Sequence, residues 1–81
     1  MQTYLVEAYQ PQAGAHAVSA RARAAAEAVT RAGKPVRYVR SICVPADETC
    51  FHVFESSSKE VVLEAVARAA FEFTRVAEAV S

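Results

Sequence analysis

The pattern of apolar positions predicts two helices in this chain. Between Ala15 and Ala32 apolar residues recur at spacings of three and four, which places them on one helical face: Val18, Ala22, Ala25, Val29 and Ala32. Gly33 and Pro35 then predict the end of this helix. A second helix is predicted from Ser57 to Ala69, because Ser57 and a glutamate three residues later fit a capping box.

Three other stretches have the composition of β-structure. Thr3–Tyr9 is rich in β-branched and aromatic residues and predicts a first, central strand. Val36–Glu55 predicts a hairpin whose turn is centred on Ala46 and Asp47. Thr74–Val80 predicts a last strand.

The resulting element order is β-α-β-β-α-β. A central hairpin with two helical crossovers predicts an α+β, ferredoxin-like fold, in which a four-stranded antiparallel sheet carries both helices on one face. Residues 1–81 form a single domain, because a chain of 81 residues has no room for a second core.

Alternation along the hairpin sorts its side chains into two faces. The larger apolar set is expected to face the helices, together with Arg40 and Glu55: Tyr38, Ile42, Val44, Phe51 and Val53. The opposite face would carry Val39, Cys43, Cys50, His52 and Phe54. With the turn at Ala46 and Asp47, Cys43 lies opposite Cys50, Ser41 opposite His52, and Val39 opposite Phe54.

Small size and high hydrophobicity favour self-association. A domain this small buries only about 60% of its unfolded surface. Hydrophobic residues nevertheless make up 53% of the chain. The uncovered sheet face is too apolar for water, and we expect it to pack against a second copy in a dimeric, barrel-like assembly.

Charge and length narrow the classes of partner. Nine basic residues balance nine acidic ones, so there is no positive excess for nucleic acid or for an anionic membrane surface. No apolar run approaches the roughly 20 residues that span a bilayer, and the first residues do not have the pattern of a signal peptide. A cytoplasmic location is therefore expected.

The two cysteines are the first candidates for chemistry. Cys43 and Cys50 could form a cross-strand disulfide, but in a reducing cytoplasm two free, buried thiols are favoured. With His52 they offer three soft ligands on one predicted face, without a Cys-x-x-Cys motif or a second histidine nearby. At a two-fold interface this set would double.

His52 and a group of charged residues are the other candidates. His52 could act as a general base, since the ordinary pKa of histidine lies near neutrality, or it could simply line an interface. Ser41 lies beside His52, which suggests a nucleophile with its base, but the sequence has no glycine-rich elbow around this serine to support that role. Glu7, Arg40 and Glu55, with Tyr38, form either a structural ion-pair group or a small pocket for a polar ligand.

Several short motifs together resemble a family of small bacterial domains. They are Tyr4-Leu5-Val6-Glu7, the strand Val36–Ser41, and Asp47–Phe51 before Phe54-Glu55. The family is typified by a nickel-binding protein, and the resemblance implies a ferredoxin-like dimer. It also implies a divalent metal such as Ni²⁺, for which this chain offers Glu7, His52, Cys43 and Cys50. Relatives often carry histidine where this chain has Arg40 and Val66, and this departure weakens the nickel interpretation.

Three functional hypotheses follow from these observations. The first is a small homodimeric ligand-binding protein, whose ligand could be a metal such as nickel and whose pocket lies between sheet and helices or at the dimer seam. The second is a cofactor-independent isomerase, cyclase or monooxygenase, by analogy with the antibiotic-biosynthesis monooxygenases and muconolactone isomerases. There His52 would move a proton, while Arg40 and Tyr38 would hold an anionic or phenolic substrate. The third is a structural partner of a larger complex.

Overall fold

The computed structural model describes residues 1–80 and contains four strands and two α-helices. The strands are β1 (Gln2–Tyr9), β2 (Val36–Val44), β3 (Thr49–Ser56) and β4 (Arg75–Ala79). The helices are α1 (Ala15–Arg31) and α2 (Lys59–Ala69). Short 3₁₀ turns at Gln12–Gly14 and Pro45–Asp47 complete the connections.

The four strands form one antiparallel sheet in the order β2-β3-β1-β4. Both helices pack on the same face of this sheet. The predicted α+β class is therefore confirmed, and the arrangement is compatible with a ferredoxin-like fold. The prediction that β1 is a central strand is also confirmed, since β3 and β4 pair on either side of it.

Local sequence signals set the helix ends. After α1, Gly33 adopts a φ of 102°, and the amides of Gly33 and Lys34 bond back to the last helical carbonyls. The predicted N-cap of α2 is displaced by one residue. The side chain of Ser58, not Ser57, accepts a hydrogen bond from the Val61 amide at 3.3 Å.

The core lies between the helices and one face of the sheet. Its large side chains come mainly from the central strands and from α2, whereas α1 contributes mostly alanines, so this helix lies close to the sheet. The clustered residues are Tyr4, Val6, Ala22, Ala26, Val29, Val36, Tyr38, Phe54, Val62, Ala65, Val66 and Val76. Within residues 1–80, no helix is both long and apolar enough to cross a membrane.

The predicted assignment of β3 to its two faces is wrong. Cys50, His52 and Phe54 lie under the helices with 1%, 0% and 0% of their surface exposed. Phe51 and the register partners Leu5 and Val53 lie on the opposite, open face. The alternation of side chains along the strand correctly predicts which residues share a face, but it does not determine which face the helices cover. The side with the smaller predicted apolar set, which was expected to meet a second copy, is the one that the helices cover.

A β-bulge in β2 reverses the predicted faces of that strand after Tyr38. Tyr38 pairs with Phe54, but Arg40 pairs with Val53, so Val39 is an extra residue with no partner of its own. Tyr38 faces the helices as predicted, whereas Arg40, Ile42 and Val44 turn to the open face. The Ser41–His52 and Cys43–Cys50 pairings are confirmed, and the Val39–Phe54 pairing is wrong.

Candidate functional site

The β2 bulge brings three polar side chains together beneath α1. Because Val39 is the extra residue, Tyr38 and Ser41 point to the same face although they are three residues apart. Their oxygens lie 2.6 Å apart, and Ser41 Oγ lies 2.6 Å from His52 Nδ1 on the neighbouring strand. We call Tyr38, Ser41 and His52 the polar triad.

Ser41 is the centre of the hydrogen bonding in the polar triad. Ser19 in α1 donates to Ser41 Oγ at 2.9 Å, which leaves Ser41 one lone pair and its own hydrogen for the other two partners. Either Tyr38 donates to Ser41 and Ser41 donates to Nδ1, or the Nδ1 hydrogen is donated to Ser41 and Ser41 donates to Tyr38. The triad can therefore pass a proton between phenol, hydroxyl and imidazole.

His52 is enclosed by apolar groups apart from this contact. The centroid of its ring lies 4.9 Å from that of Phe71, and its side chain is fully buried. Burial lowers the pKa of His52 below its ordinary value of 6.5, because the imidazolium loses its hydration. Among residues 1–80, no group forms a hydrogen bond with the buried Nε2 atom. The imidazole is thus held neutral, with one nitrogen engaged.

A groove runs along the outer side of this region, between α1 and the edge strand β2. It has a volume of about 640 Å³, and we call it the α1–β2 groove. Its polar lining includes Arg23, Arg31, Arg37, Glu27 and Thr30, and its other walls are Met1, Ala26, Pro35, Val36 and Tyr38. Tyr38 lines this groove and also belongs to the polar triad, where its hydroxyl bonds to Ser41.

The arginines give the groove an excess of positive charge. The Arg23 guanidinium carbon lies 5.2 Å from the centroid of the Tyr38 ring, a cation–π distance. Arg37 bonds to Glu55 through Nε and Nη2 at 3.1 and 2.7 Å. Within residues 1–80, Arg23 and Arg31 form no ion pair with a carboxylate. Their charges remain available to a ligand.

The structure does not bring the predicted ligand-binding residues Glu7, Tyr38, Arg40 and Glu55 together. Glu7 lies on the open face and pairs with Arg75 at 3.2 Å. Glu55 pairs with Arg37 and not with Arg40. The side chains of Glu55 and Arg37 lie on the open face. Tyr38 alone faces the helices. The bulge explains this separation, since it turns Arg40 away from Tyr38.

The predicted metal ligands are separated as well. Cys43 and Cys50 are joined in a disulfide, so the prediction of two free thiols is wrong and neither sulfur is a free thiolate ligand. Glu7 and His52 lie on opposite faces of the sheet. In the part of the chain from 1 to 80, no three His, Cys, Asp or Glu side chains are arranged to hold a metal ion.

The sequence predicts that two of the three triad residues are neighbours, but the residues around them are not among the predicted site residues. The Ser41–His52 contact follows from hairpin register alone. Ser19, Arg23 and Phe71 were not predicted as site residues. A signal existed for the first two, because their spacing of four puts both on the flank of α1 next to its apolar face. Nothing local in the sequence places Phe71 against His52.

Comparisons with known proteins support the fold. No family model matches the chain, and no curated protein matches it. The crystal structure of SCO4226 from Streptomyces coelicolor A3(2) matches with a TM-score of 0.66 and 20% sequence identity, over 95% of this chain and 94% of that chain. At this identity the likeness concerns the fold alone.

Proposed function

We propose that the chain is a small ligand-binding protein that takes a small organic anion in the α1–β2 groove. The observation that supports this most directly is the pair of guanidinium groups at the same groove, Arg23 and Arg31, neither of which forms an ion pair with a carboxylate among residues 1–80. A volume of about 640 Å³ lies within the range of about 300–1,000 Å³ that is usual for small-molecule sites.

The chemistry of the lining indicates the kind of anion. Arginine binds carboxylates and phosphates through paired N–H donors. Tyr38 and the apolar atoms of Val36, Pro35 and Ala26 offer a surface for a flat or hydrophobic body. A carboxylate attached to an aromatic or short aliphatic group therefore fits this groove better than a naked inorganic ion does.

Homodimerisation remains part of the proposal. The open face exposes Ile42 by 48% and Val44 by 37%, and Leu5 and Phe51 lie beside them, half-buried. An apolar sheet face of this kind is stabilised when the same face of a second ferredoxin-like subunit covers it. Apart from Arg37, the α1–β2 groove is lined by α1, by Met1 and Pro35, and by helix-facing residues of β2, so most of it would stay accessible in such a dimer.

Isothermal titration calorimetry with a panel of aromatic and aliphatic carboxylates, with their uncharged amides for comparison, tests the proposal. We expect heat for at least one carboxylate and none for its amide. Arg23→Gln should weaken binding about tenfold or more, because a charge-assisted hydrogen bond contributes about 1.5–3 kcal/mol. Arg68→Gln, an exposed arginine on α2 outside the groove, is the matched control and should leave binding unchanged.

The panel also separates the ligand classes. Absence of binding for every anion, or equal binding by Arg23→Gln and the parent protein, would exclude the anion site. Nickel binding, which the resemblance implies, is examined in the same instrument with Ni²⁺ as titrant. Heat from Ni²⁺ that is retained in Arg23→Gln would favour a metal-binding function instead.

The polar triad favours a second function, a cofactor-independent enzyme. Ser41 lies 2.6 Å from an imidazole that burial keeps neutral, and a neutral imidazole can take a proton. Tyr38 connects this pair to the groove, because its hydroxyl bonds to Ser41 and the residue also lines the groove. In this function His52 moves a proton by way of Ser41 and Tyr38, for an anionic or phenolic substrate bound by Arg23.

A further inference from the structure

The Cys43–Cys50 disulfide lies directly beside the Ser41–His52 contact. Ser41 and Cys43 are two residues apart on β2, and Cys50 and His52 are two apart on β3, so all four share one face. The two cross-strand pairs are therefore consecutive on that face. The covalent pair fixes the register that brings Ser41 to His52.

That register depends on the bulge. If the pairing continued regularly from Tyr38 and Phe54, Arg40 would lie opposite His52 and Ile42 opposite Cys50. Cys43 can meet Cys50 only when Val39 is left over as the extra residue. The disulfide and the regular register are thus mutually exclusive.

The regular register has its own stabilisation. Ile42 and Val44 are 48% and 37% exposed in the bulged strand. A one-residue slip turns both to the side of Cys50 and His52, and burial of Ile42 opposite Cys50, which is 1% exposed, is favourable. Arg40 would turn with them, but β2 is an edge strand, and a long arginine side chain can extend past the edge into water.

Little besides the disulfide holds the far half of β2. As an edge strand it has sheet hydrogen bonds to β3 alone. From α1, Ser19 reaches Ser41 through one hydrogen bond. A slip therefore exchanges one strand ladder for another of similar length and breaks the bonds of the polar triad and Ser19. It also rearranges the Pro45–Asp47 turn, because Val44 would then lie opposite Glu48 instead of Thr49.

We propose that the disulfide is a thiol-exchange site, and that its reduction by a dithiol lets Arg40–Val44 slip by one residue and removes Ser41 from His52. Cys43 is exposed, whereas Cys50 is 1% exposed, so Cys43 is the cysteine that we expect an incoming thiolate to attack. This site is separate from the α1–β2 groove, and it does not depend on the function proposed for that groove.

The exchange balances in two steps. A thiolate of the dithiol attacks Cys43 Sγ, the Cys43–Cys50 bond breaks, and the Cys50 sulfur leaves with the electron pair and takes a proton. The second thiolate of the dithiol then attacks the dithiol sulfur that is bonded to Cys43. Cys43 leaves with the electron pair and takes a proton to become a thiol. The protein gains two electrons and two protons, and the dithiol becomes a disulfide.

A register trap tests the slip. In the double variant Ile42→Cys/Cys43→Ser, the introduced cysteine faces Cys50 only in the slipped register. Equilibration in a glutathione redox buffer and peptide mapping by mass spectrometry should show a disulfide between positions 42 and 50. Val44→Cys/Cys43→Ser is the matched control, because position 44 is not opposite Cys50 in either register. We expect no disulfide between positions 44 and 50 in this variant.

A second measurement uses the unaltered chain, in case the double variant does not fold. Cross-strand nuclear Overhauser contacts should pair Ser41 with His52 in the oxidised protein and Arg40 with His52 after treatment with dithiothreitol. Retention of the Ser41 contact in the reduced, folded protein would overturn the proposal. So would free thiols at positions 42 and 50 in a folded double variant.

Discussion

The buried imidazole of His52 connects the local structure to the behaviour of the protein in acid. One nitrogen bonds to Ser41, and the other has no hydrogen-bond partner among the described residues. Protonation would place a charge between Phe71 and the sheet, where the surroundings do not solvate it. The folded state therefore prefers the neutral ring.

We expect the free energy of unfolding to fall as the solution is acidified below about pH 6.5. Burial lowers the pKa of His52 in the folded state below the value of 6.5 that it regains on unfolding. Between those two values the unfolded chain binds more protons, so stability is complete above 6.5 and declines below it. Urea titrations at several pH values measure this slope.

Replacement of each histidine in turn identifies the source of the slope. His52→Gln should flatten the pH dependence while it lowers stability at neutral pH, because the amide does not titrate but fits the site less well. His16→Gln is the control, since His16 is exposed and should leave the slope intact. An unchanged slope in His52→Gln would show that other groups cause it.

At the scale of single elements, the start of α2 distinguishes two adjacent serines. The Ser58 hydroxyl accepts a hydrogen bond from the Val61 amide, whereas Ser57 is exposed. Ser58→Ala should lower the free energy of unfolding by about 1 kcal/mol, the usual contribution of an N-cap. Ser57→Ala should change it by less than about 0.5 kcal/mol. Chemical denaturation of both variants makes the comparison, and equal losses would contradict the cap assignment.

The element order and the hairpin register between the turn and Ser41 could be predicted because they depend on local signals. The period of three and four residues defines α1, Gly33 ends it, and the turn sets Cys43 opposite Cys50. The direction of each sheet face could not be predicted, because alternation states only which side chains share a face. The helices that decide the question are far away in the sequence.

The candidate site was less predictable than the fold. The Ser41–His52 contact follows from register, but Tyr38 joins it only through the bulge at Val39, which no glycine or proline marks. The groove could not be predicted, because it forms only where α1 packs beside β2, and the local sequence does not determine that packing. The choice between thiols and a disulfide rested on an expected cellular location, and the predicted thiols were the wrong choice.

For the whole molecule, we expect the open face to mediate the proposed dimer. Ile42→Glu places a charge at the exposed apolar part of that face, once on each copy in a two-fold dimer. The loss of apolar burial on both copies should raise the dimer dissociation constant about a hundredfold or more. Sedimentation velocity at micromolar concentrations measures the change in mass.

The matched control for this substitution is Ala67→Glu. It introduces the same charge at an exposed position of α2, on the other side of the molecule, and should leave the sedimentation of the dimer unchanged. A parent protein that sediments as a monomer at every concentration would remove the dimer from the proposal. Equal dissociation of both variants would show that the open face is not the contact.

The bulge in β2 also affects how the chain can aggregate. A straight edge strand offers a row of free amides and carbonyls on which another chain can build a sheet. Here the exposed edge is kinked at Val39 and carries arginines at 37 and 40, so an incoming strand would find neither regular spacing nor neutral surroundings. The same irregularity that brings Tyr38 to Ser41 thereby disfavours growth of the sheet at that edge.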